Sequence, residues 1–246
     1  MNASEFLKAA ESLPFSALEN VLGNGGLVVV APHPDDESLA CGGLIAEASA
    51  QGRATRVIVV SDGTGSHPHS RDYPRDRLRL LREDETRQAA WELGLDPDRD
   101  VYFLRLPDRH VPSEGPVAER AIKGLADRAR EADAAALFVS WRHDPHCDHQ
   151  ASYRLARGVQ ERLPLLDLYE YTIWGAALPA DTPVEPAAGG FRLAIEPWLA
   201  RKRRAIAAHR SQTTDLIDDD PEGFRLTASD LARFDAPYEF FFECER

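Results

Sequence analysis

Cysteine is scarce in this chain and badly placed for bridging. Its 246 residues hold three, Cys41, Cys147 and Cys244. An odd number at wide spacing argues against a disulfide framework and for a reducing, cytoplasmic setting. Long apolar runs are missing too. The run at 27–31 is only strand-sized, so no membrane span is expected. The first residues, from Met1 to Glu5, lack a positive stretch followed by an apolar one, so no secretory leader is expected. Positive charge is also in deficit: 41 acidic side chains face 29 basic ones, for a formal net charge of −12. Such a surface repels phosphate backbones and speaks against sequence-independent nucleic-acid binding.

What is present supports a sizeable core, since 43% of the residues are hydrophobic. Residues 1–26 read as an amphipathic helical lead-in that stops at Gly23, Asn24, Gly25 and Gly26. From there apolar runs alternate with amphipathic ones. Strands are expected at 27–31, 56–61, 101–106 and 135–140, with helices at 38–51, 75–93, 116–131 and 149–162. That alternation predicts right-handed βαβ units: an α/β fold with a Rossmann-like, mostly parallel sheet and helices on both faces. Past Leu163 the pattern loosens into strands at 168–174 and 190–195, a helix at 197–210, an acidic turn-rich stretch at 211–221 and a last strand at 238–242.

Two loops carry metal-competent side chains directly after buried strands. One reads Pro32, His33, Pro34, Asp35, Asp36, Glu37; the other runs from His143 through Asp144, His146, Cys147 and Asp148 to His149. In an open parallel sheet, ligands bind beyond the carboxyl ends of the strands, where both loops emerge. His33, Asp36 and His149 would form a two-His, one-carboxylate set for a divalent ion such as Zn²⁺. A bound cation makes water acidic enough for a carboxylate base, and Asp35 is placed to be that base. His146, if protonated, would stabilise an oxyanion, with Asp148 orienting it and favouring that form.

Each feature also has a plain structural reading. Asp35, Asp36 and Ser38 suit helix capping, and a His cluster beside Pro and Asp is often only a solvated loop. Cys147 reads as a packed thiol and Cys41 as core. His143 reads as structural or substrate-facing, His67 and His69 as solvated, and Arg201 to Arg204 as a solvated basic face. Trp141 and Trp174 either pack inside or stack on a ring. The stretch Asp62 to Gly65 reads as a pocket-lining loop.

Taken together, the 32–37 string and His146, Cys147, Asp148 and His149 resemble the signatures of the PIG-L/LmbE-like N-acetylglucosaminyl deacetylase family. Weaker likeness lies in Arg82, Glu85, Ala89, Leu93 and Gly94, in Leu106, Pro107 and Asp108, and in the run Ala208 to Gln212. The resemblance implies a zinc-dependent hydrolase that removes an N-acetyl group from an amino sugar, with other divalent metals open. It implies His33, Asp36 and His149 as metal ligands and Asp35 as base and later proton donor. His146 would stabilise the oxyanion, oriented by Asp148. Asp62, His209 and Gln212 are candidates for substrate contact. Many family members carry Pro where this chain has Cys147.

A single domain over 1–246 is expected, with its core at 27–212 and the segment 213–246 packing on it. The expected partner is a small-molecule or glycoconjugate substrate, with no nucleic acid and no integral membrane segment; a homo-oligomer stays open. Two alternatives remain. One is an amidase for a non-sugar N-acyl or thiol-conjugate substrate. The other is a two-His, one-carboxylate iron oxygenase, in which Asp35 has no role.

Overall fold

The apolar runs pair into one sheet. The computed structural model describes residues 1–244; Glu245 and Arg246, the end of the C-terminal segment, lie outside the described residues. Seven strands form the sheet: β1 (Gly26–Ala31), β2 (Thr55–Ser61), β3 (Val101–Leu106), β4 (Ala134–Ser140), β5 (Asp167–Tyr171), β6 (Gly189–Ala194) and β7 (Tyr238–Glu243). Their spatial order is β3-β2-β1-β4-β5-β7-β6. The first five are parallel, and β7 runs antiparallel between β5 and β6. The expected α/β, mostly parallel sheet is therefore present, with an antiparallel edge.

Strand alternation explains why β1 is apolar at every position. Leu27, Val29 and Ala31 face one layer, Val28 and Val30 the other, and all are fully buried. After α1 (Ala3–Ala10) and α2 (Leu18–Leu22), the first layer holds α3 (Asp36–Ala50), α4 (Arg75–Glu92) and α8 (Leu199–Ala208). Helix α5 (Pro97–Asp100) is a single turn before β3, and the second layer holds α6 (Gly115–Glu131) and α7 (Cys147–Arg162). Helix α3 is buried nearly all round because it lies between the sheet and α8. Its small residues permit that approach: a Cβ on Gly43 would stand 2.4 Å from Cγ2 of Ile195.

Several local expectations change. The N-terminal lead-in is two helices, Ala3–Ala10 and Leu18–Leu22, the first closed by an Asn2/Glu5 capping box. The helix expected at 197–210 ends at Ala208 and restarts as Arg210–Thr213, because His209 takes ψ 60° between them. A short helix at Ala228–Arg233, capped by Thr227 and Asp230, was not anticipated.

The basic run at Arg201 to Arg204 is not wholly a solvated face. Lys202 is 2% exposed and donates to Oε1 of Glu239 at 2.8 Å. Its position on α8 turns it toward α3, whereas Arg203 and Arg204 pair at the surface with Asp235 and Glu92. Among the described residues, no helix is long and apolar enough to cross a membrane.

Candidate active site

Strands β1 and β4 are neighbours, but the chain leaves them toward opposite sides of the sheet, to β2 and to β5. Such a switch point opens a crevice beyond the strand ends. The 32–35 loop and the 141–146 loop meet there, so residues more than a hundred positions apart come into contact.

Nδ1 of His33 lies 3.2 Å from Nε2 of His149 and 3.4 Å from Oδ2 of Asp36, and Nε2 of His149 lies 3.3 Å from that same oxygen. Ligands held about 2.0–2.1 Å from a tetrahedral zinc stand about 3.3–3.4 Å apart. The triangle has the dimensions of one face of that shell. Behind it, each ring meets a carboxylate through its far nitrogen. Asp144 Oδ1 stands 3.2 Å from Nδ1 of His149, and Asp148 Oδ2 3.2 Å from Nε2 of His33. Carboxylates so placed orient ligand imidazoles and fix their tautomers. Asp108 also approaches His33, at 3.4 Å.

Burial opposes ionisation of Asp36, Asp108, Asp144 and Asp148, but contacts to His33 or His149 outweigh it and hold all four below the usual carboxylate range. This much buried negative charge around two rings suits a divalent cation. Replacing Asp144 with alanine should lower cation affinity roughly 10- to 100-fold, measured by calorimetric titration with zinc. Unchanged affinity would remove Asp144 from the metal-supporting set.

Asp35 sits at the N-cap of α3 with φ 137°, a conformation rare for a residue with a side chain. Burial pushes its carboxyl up to about 7, although the Arg82 guanidinium pulls the other way. Nη2 of Arg82 stands 3.4 Å from Asp35 Oδ2 and donates to the Pro34 carbonyl at 2.7 Å. Asp35, Asp36, His33 and His146 line a pocket of about 370 Å³. Trp174 and the exposed Phe224 line it too, edge to face with ring centroids 5.7 Å apart.

His146 differs from expectation. It caps α7, and its Nδ1 accepts from the Asp148 amide at 3.2 Å. The neutral ring therefore carries its proton on Nε2. Burial, followed by the charges of His33 and His149, holds its pKa down to about 4, so a protonated His146 is not supported. Nor does the Asp148 carboxylate orient it. That carboxylate accepts from the Arg109 and Val111 amides and meets His33, because it is turned toward the 107–111 turn. His146 is left as a neutral donor.

Of the expected substrate contacts, Gln212 lines the pocket; Asp62 and His209 do not. Asp62 organises its own loop, accepting from the Thr64 and Asp108 amides. His209 is buried against Glu37. Gly65 confirms the pocket-lining part of the 62–65 loop. His67 is buried rather than solvated, beside Ser66 and Gly223, while His69 is exposed near Glu222. His143 is structural, accepting from the Glu185 amide, and Trp141 stacks on Phe6 in the interior. Cys147 is exposed and outside the triangle; burial and Asp148 hold its thiol up, which disfavours the thiolate a metal needs.

Asp108 and Arg82 take their roles from contacts to the distant 33–35 loop, and Asp144 takes its role from backing His149, none of which residue type or spacing announces. The acidic stretch, too, gains its role only in the fold. Asp219 accepts from the Ser70 hydroxyl and the Arg71 amide, Asp220 accepts from the His69 amide, and the Phe224 amide donates to the Ser66 carbonyl. The segment is thus a clamp on the loop that walls the pocket. Its only sequence signal was a run of short acidic acceptors.

An open α/β sheet whose switch-point crevice holds cation-spaced donors and a neighbouring carboxylate defines an α/β protein with a candidate metal-hydrolase centre. The chain belongs to the PIG-L (GlcNAc-PI de-N-acetylase) family, whose sequence model matches residues 28–159. It is 28% identical over 228 residues to 2'-N-acetylparomamine deacetylase of Streptomyces fradiae, covering 85% of this chain and 80% of that one. It is 24% identical over 202 residues to a probable N-acetyl-alpha-D-glucosaminyl L-malate deacetylase 2 of Bacillus cereus, covering 78% and 86%. The fold is similar to N,N'-diacetylchitobiose deacetylase of Pyrococcus horikoshii, with a TM-score of 0.61, 21% identity and coverage of 85% and 78%.

Proposed function

We propose that this chain is a metal-dependent N-deacetylase that removes acetyl from an amino-sugar substrate, with zinc held by His33, Asp36 and His149. The observation that carries the reading is the donor triangle with Asp35 beside it on the pocket wall. A bound divalent cation would polarise the amide carbonyl and bring the pKa of water toward ~7. Asp35 takes the proton of the attacking water and later returns it to the departing amine. His146 donates through Nε2–H to the carbonyl oxygen as negative charge develops there, a contact worth ~3–4 kcal/mol in comparable sites. Trp174 and Phe224 offer the apolar faces on which a sugar ring packs.

Two relatives named for N-acetylated amino sugars support the substrate class. Residues 213–246 belong to the same functional unit in this reading, since β7 completes the sheet and the 219–224 stretch holds the pocket loop. An iron oxygenase would leave Asp35 idle, and nothing in the site favours it.

The test is acetate release from N-acetylated sugars, including N-acetylglucosamine and its glycosides, against N-acylated simple amines. Chelator-stripped protein should turn over at least ~10-fold more slowly than protein reloaded with zinc, and sugars should be preferred. Equal rates before and after stripping, or hydrolysis of non-sugar amides alone, would refute the reading.

A further inference from the structure

Glu37 neither belongs to the donor triangle nor lines the pocket, yet it is 1% exposed and saturated with hydrogen bonds. Its Oε2 accepts from the Asp35 amide at 3.1 Å. Its Oε1 accepts from the Ser38 hydroxyl at 2.7 Å and from Nε2 of His209 at 2.9 Å. A buried carboxylate is stable only with such partners, so these contacts are stiff. His209 is itself 1% exposed and sits at the break between α8 and the Arg210–Thr213 helix, 172 residues away in sequence. The site thereby gains an anchor in the C-terminal part of the chain.

The anchored atom is the amide of Asp35, the one non-glycine residue near the site with a φ as extreme as 137°. Backbone in that region does not persist unless surrounding contacts over-determine it. Glu37 grips the amide, and Arg82 grips the preceding carbonyl of Pro34. Arg82 lines the pocket and touches the Asp35 carboxylate; Glu37 acts only through the backbone. Its other oxygen goes to His209 rather than to any reacting group.

We propose that Glu37, held by His209, is a positioning residue for the reaction: it keeps the Asp35 backbone in its strained conformation and so aims the Asp35 carboxylate into the pocket. This rests on the deacetylase reading, in which Asp35 is the base. The sequence places Glu37 in the signature string, but its partner could not be read from there.

The test uses Glu37→Ala, Glu37→Gln and His209→Ala in the zinc-loaded full chain. Misaiming a base by about an ångström lowers kcat on the order of 10²-fold, so Glu37→Ala should lose roughly 10- to 100-fold in kcat. KM and zinc stoichiometry should stay near wild type, a split that general loosening of the fold would not give. Glu37→Gln still accepts from the Asp35 amide and should recover most of kcat. His209→Ala frees Glu37 and should fall between. In the crystal structure of Glu37→Ala, Asp35 should abandon its positive φ.

Wild-type kcat in Glu37→Ala overturns the proposal, as does a loss confined to KM or zinc affinity. Should Glu37→Ala not fold, His209→Ala decides: an unchanged kcat refutes the arrangement and a lowered kcat at unchanged KM supports it. If wild-type protein releases no acetate from any sugar, the deacetylase reading fails separately. The Asp35 backbone in the variant structures then settles whether Glu37 holds it.

Discussion

Asp35→Asn should turn over roughly 10²- to 10⁴-fold more slowly than the wild type while binding zinc with the same stoichiometry. The expectation follows from what the change removes. Asparagine has the shape of aspartate but cannot take a proton from water. The three donors of the triangle belong to His33, Asp36 and His149 and stay untouched. Burial raises the Asp35 pKa to about 7 against the pull of Arg82, which suits a group that must both accept and return a proton near neutrality. Rapid-quench acetate release and elemental analysis of the same preparations separate the two roles. A variant within tenfold of wild type would mean that another group is the base. One that loses zinc as well would mean that Asp35 serves the cation.

The second large effect is on stability. Glu239→Ala should destabilise the fold by about 3–5 kcal/mol, read from urea midpoints at constant m. Glu239 is 4% exposed and accepts from the amides of Gly43 and Leu44 and from Lys202, each at 2.8 Å. Removing it strands the Lys202 ammonium, 2% exposed, without its counter-charge. The paired change Lys202→Met with Glu239→Leu should recover the part of the loss that comes from the stranded charge, while the Gly43 and Leu44 amides still lack their acceptor. Asp235→Ala, which breaks the exposed contact to Arg203, should change stability by less than about 1 kcal/mol. A Glu239→Ala loss that small would show that Lys202 reaches water once freed.

Legibility varied with the kind of information each feature needs. Strand β1 was plain because a strand covered on both faces must be apolar throughout, and 27–31 can satisfy little else, whereas the edge strand β3 stayed readable on its apolar residues even though Arg105 is exposed. The N-terminal lead-in was legible as amphipathic, but its break at 11–17 was not, because there the chain follows a long-range pairing of Phe15 with Arg192. The break at His209 was hidden as well. Its ψ of 60° accompanies burial of the ring against Glu37, and no local propensity announces that. Lys202 looked solvated because three neighbours of its run are basic and exposed or partly so, while the buried acceptor lies on the last strand.

Chain order alone thus determined the α/β alternation and the two polar loops that follow buried strands, and it pointed to His33, Asp36, His149 and Asp35 within them. These are local facts: periodicity reports burial, and residue type reports donor chemistry. Folding settled the rest. The strand order sets β1 beside β4, and that adjacency creates the 3.2–3.4 Å triangle. It also gave Asp148 to His33 instead of His146, assigned His209 to Glu37 instead of the pocket, and made the acidic stretch a clamp. Each of those contacts joins residues far apart in the chain, and which of many carboxylates meets which ring depends on packing in three dimensions.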